Sequence, residues 1–264
     1  MKKLNFLFSR SKQEQDKPIR DKLKTRKDFE RVLAEDLDIM ETTKARIDTA
    51  KNINLYMYRS LSYSYILILQ SKYSVDAKID ELRDIYIKSM HYFLQAFNKR
   101  NPIYADILNY VSLGVLLNIP DNNFRQLIDY VKQMDKQAKP SGWTPDLLLW
   151  FMLNSRMKEQ EKQKYAETLA YPRLYNGLYK VIQAPNAAAA KDALNKYLDR
   201  WYNLNSNAPW YNSHLKDNCY RGYWAWEVAA VAKIMHIDDS DLKNNQYYPY
   251  DMVHWADNET TAKE

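Results

Sequence analysis

Tyr220 to Trp255 reads YRGYWAWEVAAVAKIMHIDDSDLKNNQYYPYDMVHW. Apolar or aromatic residues at Tyr223, Trp226, Val228, Ala230, Val231, Ile234 and Met235 follow a helical period, not a two-residue alternation. The stretch therefore predicts a helix with most of one face in the core. Asp238 and Asp239 follow the apolar run, and an aspartate in that position accepts hydrogen bonds from the first free amides of a new helix. A short second helix is predicted from about Ser240. Pro249 lacks an amide hydrogen and stops it. Tyr247, Tyr248 and Tyr250 then need either packing against the first helix or a partner.

The rest of the chain supports the same fold class. Four glycines and nine prolines in 264 residues are too few turn residues for a sheet-rich fold. The chain is predicted to be all-α, a multi-helix bundle with an N-terminal helical region packed on a C-terminal helical domain. Apolar spacing predicts helices over about 28–52, 53–73 and from Ser74 or Asp76 to the Asn101-Pro102 break. The second of these is apolar on nearly all sides and is expected at the centre of the first bundle. Further helices are predicted at about 104–117, 124–134, 147–153, 172–183 and 187–202. Lys139-Pro140-Ser141-Gly142 combines both punctuating residues in a polar run, so it is read as the break between halves. This divides the chain into a basic flexible tail (1–25), an N-terminal helical region (26–138), a C-terminal helical domain (143–256) and a frayed end (257–264). Shifting the chain by 118 residues aligns LLNIPDNNFRQ with IMHIDDSDLKN, pairing Ile119 with Ile237 and Asp121 with Asp239. Helix stops and aspartate caps look alike, and that reading is preferred to a duplication.

The net charge of +6 is unevenly spread. Residues 1–27 hold ten Lys or Arg against three acids, residues 237–264 hold two against seven, and the body between carries +4. The basic balance is mostly a tail, which argues against a surface that tracks several phosphates. The lone Cys219 excludes an internal disulfide framework and fits a reducing compartment. The apolar stretch Leu4 to Phe8 is too short for a signal peptide, and Leu55 to Leu69, interrupted by Arg59, is too short to span a bilayer. A cytoplasmic protein without a membrane span is expected.

No catalytic, cofactor-binding or metal-binding residue is assigned. Asp241-Leu242-Lys243 matches half of a restriction-type (D/E)xK nuclease site, but such sites need adjacent strands and this region reads as helix, turn and helix. His214, Cys219, His236 and His254 do not follow close-paired ligand spacing. Within the structural motif Trp224, Trp226, Glu227 and Pro249, Glu227 would be costly to bury unpaired. It is expected to meet Arg221, a tyrosine hydroxyl or a backbone amide, or else a partner. Asp238, Asp239, Asp241, Tyr247, Tyr248, Tyr250 and Asp251 interleave carboxylates with tyrosines that could occupy a cationic cleft. The same residues are also good caps and good packing groups, and the fold-maintaining role carries slightly more weight.

GYWAWEVAAVAKIMHIDD followed by YYPYDMVHW, with RWY at 200–202 and WYNSH at 210–214, resembles the PoNi-type immunity family over roughly residues 20–255. The resemblance implies a bacterial cytoplasmic protein that binds and neutralises a cognate nuclease toxin, a DNase delivered by a contact-dependent or type VI route. It implies no small-molecule substrate, no cofactor and no direct nucleic-acid contact. The alternatives left open are a nucleic-acid-binding or metal-dependent nuclease protein, and a helical scaffold for an unrelated partner. The sequence leaves the oligomeric state and the contact surface open.

Overall fold

A computed structural model describes residues 18–96, 103–136, 143–216 and 218–255. Among them are ten α-helices and no strand. Helix α1 (Arg26–Thr49) starts from a reciprocal cap in which Thr25 accepts from the Asp28 amide and the Asp28 carboxylate accepts from the Thr25 amide. It packs on α2 (Leu55–Val75), which packs on α3 (Ile79–Ala96). Helix α4 (Tyr104–Leu116) leads through a tight stop into α5 (Asp121–Lys136). The second half contributes α6 (Leu147–Asn154), the hairpin of α7 (Pro172–Ile182) and α8 (Ala187–Leu204), then α9 (Trp226–Met235) and α10 (Tyr250–His254).

The middle of the molecule is the contact between α4 and α9. Val111, Leu113 and Leu116 on α4 and Val228 to Ala232 on α9 are all buried, and three alanines on α9 keep its surface low enough for close packing. Truncating Leu113 to alanine here would cost about 2 to 5 kcal/mol, the usual range for a buried leucine. One apolar core runs through both halves. Helix α2 lies between α1 and α3, at the centre of the first bundle as expected, but it is not buried on all sides: Tyr56 and Tyr63 are 71% and 60% exposed, whereas α4 is buried on nearly every side. The open side of α2, Tyr56, Arg59 and Tyr63, recurs at three- and four-residue spacing.

Both α4 and α9 end in the same way. Asn118 and His236 adopt left-handed φ values of 43° and 52°. In each, the amide of that residue returns three residues back and the amide of the following isoleucine returns five, to Gly114 and to Ala232. The buried Ile119 and Ile237 seat these stops. A shared helix-ending motif therefore accounts for the echo between the two sequences.

Other local readings are corrected by long-range partners. Neither Ser74 nor Asp76 caps α3: the Ser74 hydroxyl donates to the Arg221 carbonyl, and Asp76 pairs with Arg26. The basic tail does not stay in solvent as far as residue 25. Arg20 and Asp21 donate backbone hydrogen bonds to Val75 and Ser74, and Asp21 is buried. Residues 1–17, the 139–142 break and 257–264 lie outside the described residues, but Asp135 accepts both the Trp143 and the Trp150 indole N–H, at 2.8 and 2.7 Å, across that break.

Candidate functional site

The predicted helix does not begin at Tyr220. Residues Tyr220 to Ala225 run outside any helix, and α9 starts only at Trp226. Gly222 has φ +106°, and a Cβ there would lie 2.2 Å from the Ser74 hydroxyl. Only glycine supplies both that backbone angle and that clearance. The segment is fixed from outside: Trp224 donates its indole N–H to Ser74 at 2.9 Å, and the Ala225 amide donates to the Tyr247 carbonyl at 2.9 Å. Trp224 and Trp226 both lie edge-on to Tyr73 of α2, with ring centres 4.8 and 5.3 Å away. Arg221 makes a two-pronged ion pair with Asp36 of α1, at 2.9 and 2.7 Å, with Asp36 only 2% exposed. Of the partners expected for Glu227, Arg221 is thus taken by Asp36, and the backbone hydrogen bond remains. Removing Arg221 or Asp36 would strand a buried charge, a loss of about 3 to 5 kcal/mol.

Glu227 instead accepts the Trp201 indole N–H at 2.6 Å. No cation pairs with it among the described residues, and loss of water pushes its carboxyl up to about 7 despite the backbone and Trp201 hydrogen bonds. Around it the RWY and WYNSH stretches converge. Trp201 stacks on Trp210, Tyr202 stacks on Tyr211 and Tyr247, and Tyr223 accepts from the Ser213 hydroxyl and the His214 amide. These aromatic motifs build one packed cluster.

The acidic and tyrosine-rich segment has a different geometry from the one predicted. The short second helix predicted from about Ser240 is a single turn of 3₁₀ helix, Ser240 to Leu242, and Pro249 precedes α10 instead of ending a helix before it. Asp239 does not cap. It turns inward, is 3% exposed, and accepts the Tyr248 hydroxyl at 2.6 Å and His254 Nε2 at 2.8 Å. Tyr248 is likewise buried. Asp238 folds back onto the Ser240 amide and takes Lys191 Nζ at 2.8 Å. Lys191 Nζ also lies 3.2 Å from Asp241, which accepts Asn195 as well. The Lys191 ammonium, with Ser240 behind it, holds the Asp238 carboxyl well below the usual carboxylate range. Asp251 is matched by Arg20 at 2.8 Å. Tyr247 and Tyr250 are half-buried. Of the seven residues, Asp238, Asp241 and Asp251 stay exposed, and each already has a cation beside it.

Sequence reasoning missed Asp146. It is fully buried at the start of α6 and accepts from the Tyr104 hydroxyl and from the Leu149 and Ala170 amides. Its signal was present, since Pro145-Asp146 before an apolar run is a helix start. Among the described residues no three His, Cys, Asp or Glu side chains lie close enough to hold a metal ion, and no helix is long and apolar enough to cross a membrane. His214 is occupied by Tyr223, and Cys219 is exposed.

Comparison with known proteins bears on this architecture. Residues 14–129 match the family described as PoNe immunity protein (PoNi), N-terminal, and residues 144–252 match PoNe immunity proteins (PoNi), C-terminal. The crystal structure of protein PA2201 from Pseudomonas aeruginosa is similar in fold, with a TM-score of 0.70 and 18% identity over 93% of each chain. A search of curated proteins finds no match.

Proposed function

This chain belongs to the PoNe immunity proteins, and on that premise we propose that it neutralises a nuclease toxin by binding it as a folded surface, one molecule to one, without turnover. The observation that carries the reading is the match of both family regions to one chain with a single core. The target is a DNase that enters from a neighbouring bacterium by a contact-dependent or type VI route, and the inhibitor waits in the cytoplasm. A rigid helical surface suits this role, because binding then orders little that was not already ordered. Within the C-terminal segment, Asp239 and Tyr248 act by holding shape, while Asp238, Asp241, Tyr247, Tyr250 and Asp251 keep an edge that a partner can reach. The test is co-purification with a catalytically inactive PoNe toxin, together with plasmid protection from the active toxin in the presence of a divalent metal. The expected result is an equimolar complex and intact plasmid. Cleavage of the plasmid by this protein alone, or failure to protect at a two-fold excess, would overturn the reading.

A further inference from the structure

The charges left over after folding are not where the composition of the C-terminal half suggests. Between α7 and α8 lies a groove of about 600 Å³. Arg173 and Lys180 line it from α7, and Lys196 and Arg200 line it from α8, with Leu174 and Leu204 among its apolar lining. All four cations are exposed. Asp192 is the single acid in the lining among the described residues and pairs with Lys196 at 2.6 Å on an open surface, where such a pair is worth little. Arg173, Lys180 and Arg200 meet no carboxylate among the described residues.

This arrangement carries a local electrostatic cost. Arg173 sits in the first turn of α7, the positive end of the helix, and no acid accompanies it there. Lys196 and Arg200 are four residues apart on one helix face, a spacing that brings like charges together. The spacing of the two helices is itself fixed: a Cβ at Gly177 would lie 2.5 Å from the Tyr197 ring, so glycine lets α7 come down onto α8 between the two cationic walls. Concave shape, apolar lining and unpaired cations on both walls fit a carboxylate-bearing segment better than a flat phosphate backbone. Among the described residues no exposed aromatic lines the groove for base stacking, since Tyr197 is buried.

We propose that the α7–α8 groove receives an acidic segment of the nuclease toxin, whose carboxylates pair with Arg173, Lys180 and Arg200. This rests on the immunity reading above and names a contact surface for it. Cations of this kind steer encounter and exclude wrong partners, so their removal is read as salt-dependent loss of affinity.

The experiment measures binding of the full chain to an inactivated PoNe toxin at low and high salt. It compares wild type with Arg173→Glu/Lys180→Glu/Arg200→Glu and with the milder triple change to glutamine. The expected result is a loss of about 30-fold or more for the reversal, a smaller loss for the glutamine form, and a weaker salt dependence in both. Matching circular dichroism and melting temperature would exclude misfolding, and all three positions are exposed. Undiminished binding by the glutamate form overturns the groove assignment and leaves the immunity reading standing. No binding by wild type overturns both. A duplex DNA probe that binds wild type but not the variants, with toxin affinity unchanged, assigns the groove to nucleic acid and overturns the proposal.

Discussion

The acidic segment from Asp238 to Asp251 and the basic groove between α7 and α8 lie in the same half of the chain and have opposite electrostatic fates. In the first, every carboxylate is matched: Asp238 and Asp241 by Lys191, Asp239 by Tyr248 and His254, Asp251 by Arg20. In the second, three of four cations meet no carboxylate among the described residues. A charge that folding has already neutralised contributes to shape, and a charge left unmatched is available to another molecule. The two regions therefore predict different phenotypes for mutations that look alike in composition.

Among mutations that separate these two regions, the largest effect is expected at Asp239. Asp239→Ala leaves the buried Tyr248 hydroxyl and His254 without their acceptor, at about 3 kcal/mol, or roughly 6 to 12 °C in melting temperature for a chain of this size. Thermal denaturation checks it, and a change under 1 °C would remove the claim that Asp239 and Tyr248 hold the shape of this segment.

Next comes Glu227, which pairs with no cation among the described residues. Its folded carboxyl titrates near 7, above the ordinary value of 4.5, so its neutral form is the one the fold favours. The associated stability is complete below about pH 4.5 and is lost as pH rises from there to about 7, a decline of about 2 to 3 kcal/mol. Glu227→Gln keeps an oxygen for the Trp201 indole. Chemical denaturation from pH 5 to pH 8 should find this slope flattened in the variant, and an unchanged slope would place the titrating group elsewhere.

The smallest effect separates the groove from the rest. Arg173→Gln removes a cation from the positive end of α7, so stability should rise by a few tenths of a kcal/mol even though toxin binding weakens. A stability loss of 1 kcal/mol or more would mean that Arg173 has a structural role after all.

Much of the fold could be read from periodicity. The spacing of apolar residues placed the helices over 104–116 and 172–182 within a residue or two, because helix burial is a local pattern. Several departures involve partners outside the local pattern. Tyr220 to Ala225 looks helical in composition, but Gly222 and the Ser74 hydroxyl, 147 residues from the carbonyl it binds, hold it extended. Asp238 accepts the Ser240 amide as its residue type suggests, but Asp239, an equally good cap by type, is taken by Tyr248 and His254. For the candidate site, the acidic cluster was legible as a cluster but its neutralisation was not. The basic groove left only a faint trace, the seven-residue step from Arg173 to Lys180 and the four-residue step from Lys196 to Arg200. Each step puts two cations on one helix face, and nothing in the sequence says that the two faces meet.

The carboxylate of Asp135, gripped by one indole from Trp143 and another from Trp150, has a practical corollary. Together with the core shared by both halves, it joins residues on the two sides of 137–142 through side chains, so the two sides are expected to hold together without the peptide connection between them. A protease that cut there would release nothing, and the two fragments, made as separate polypeptides, should find one another and reassemble.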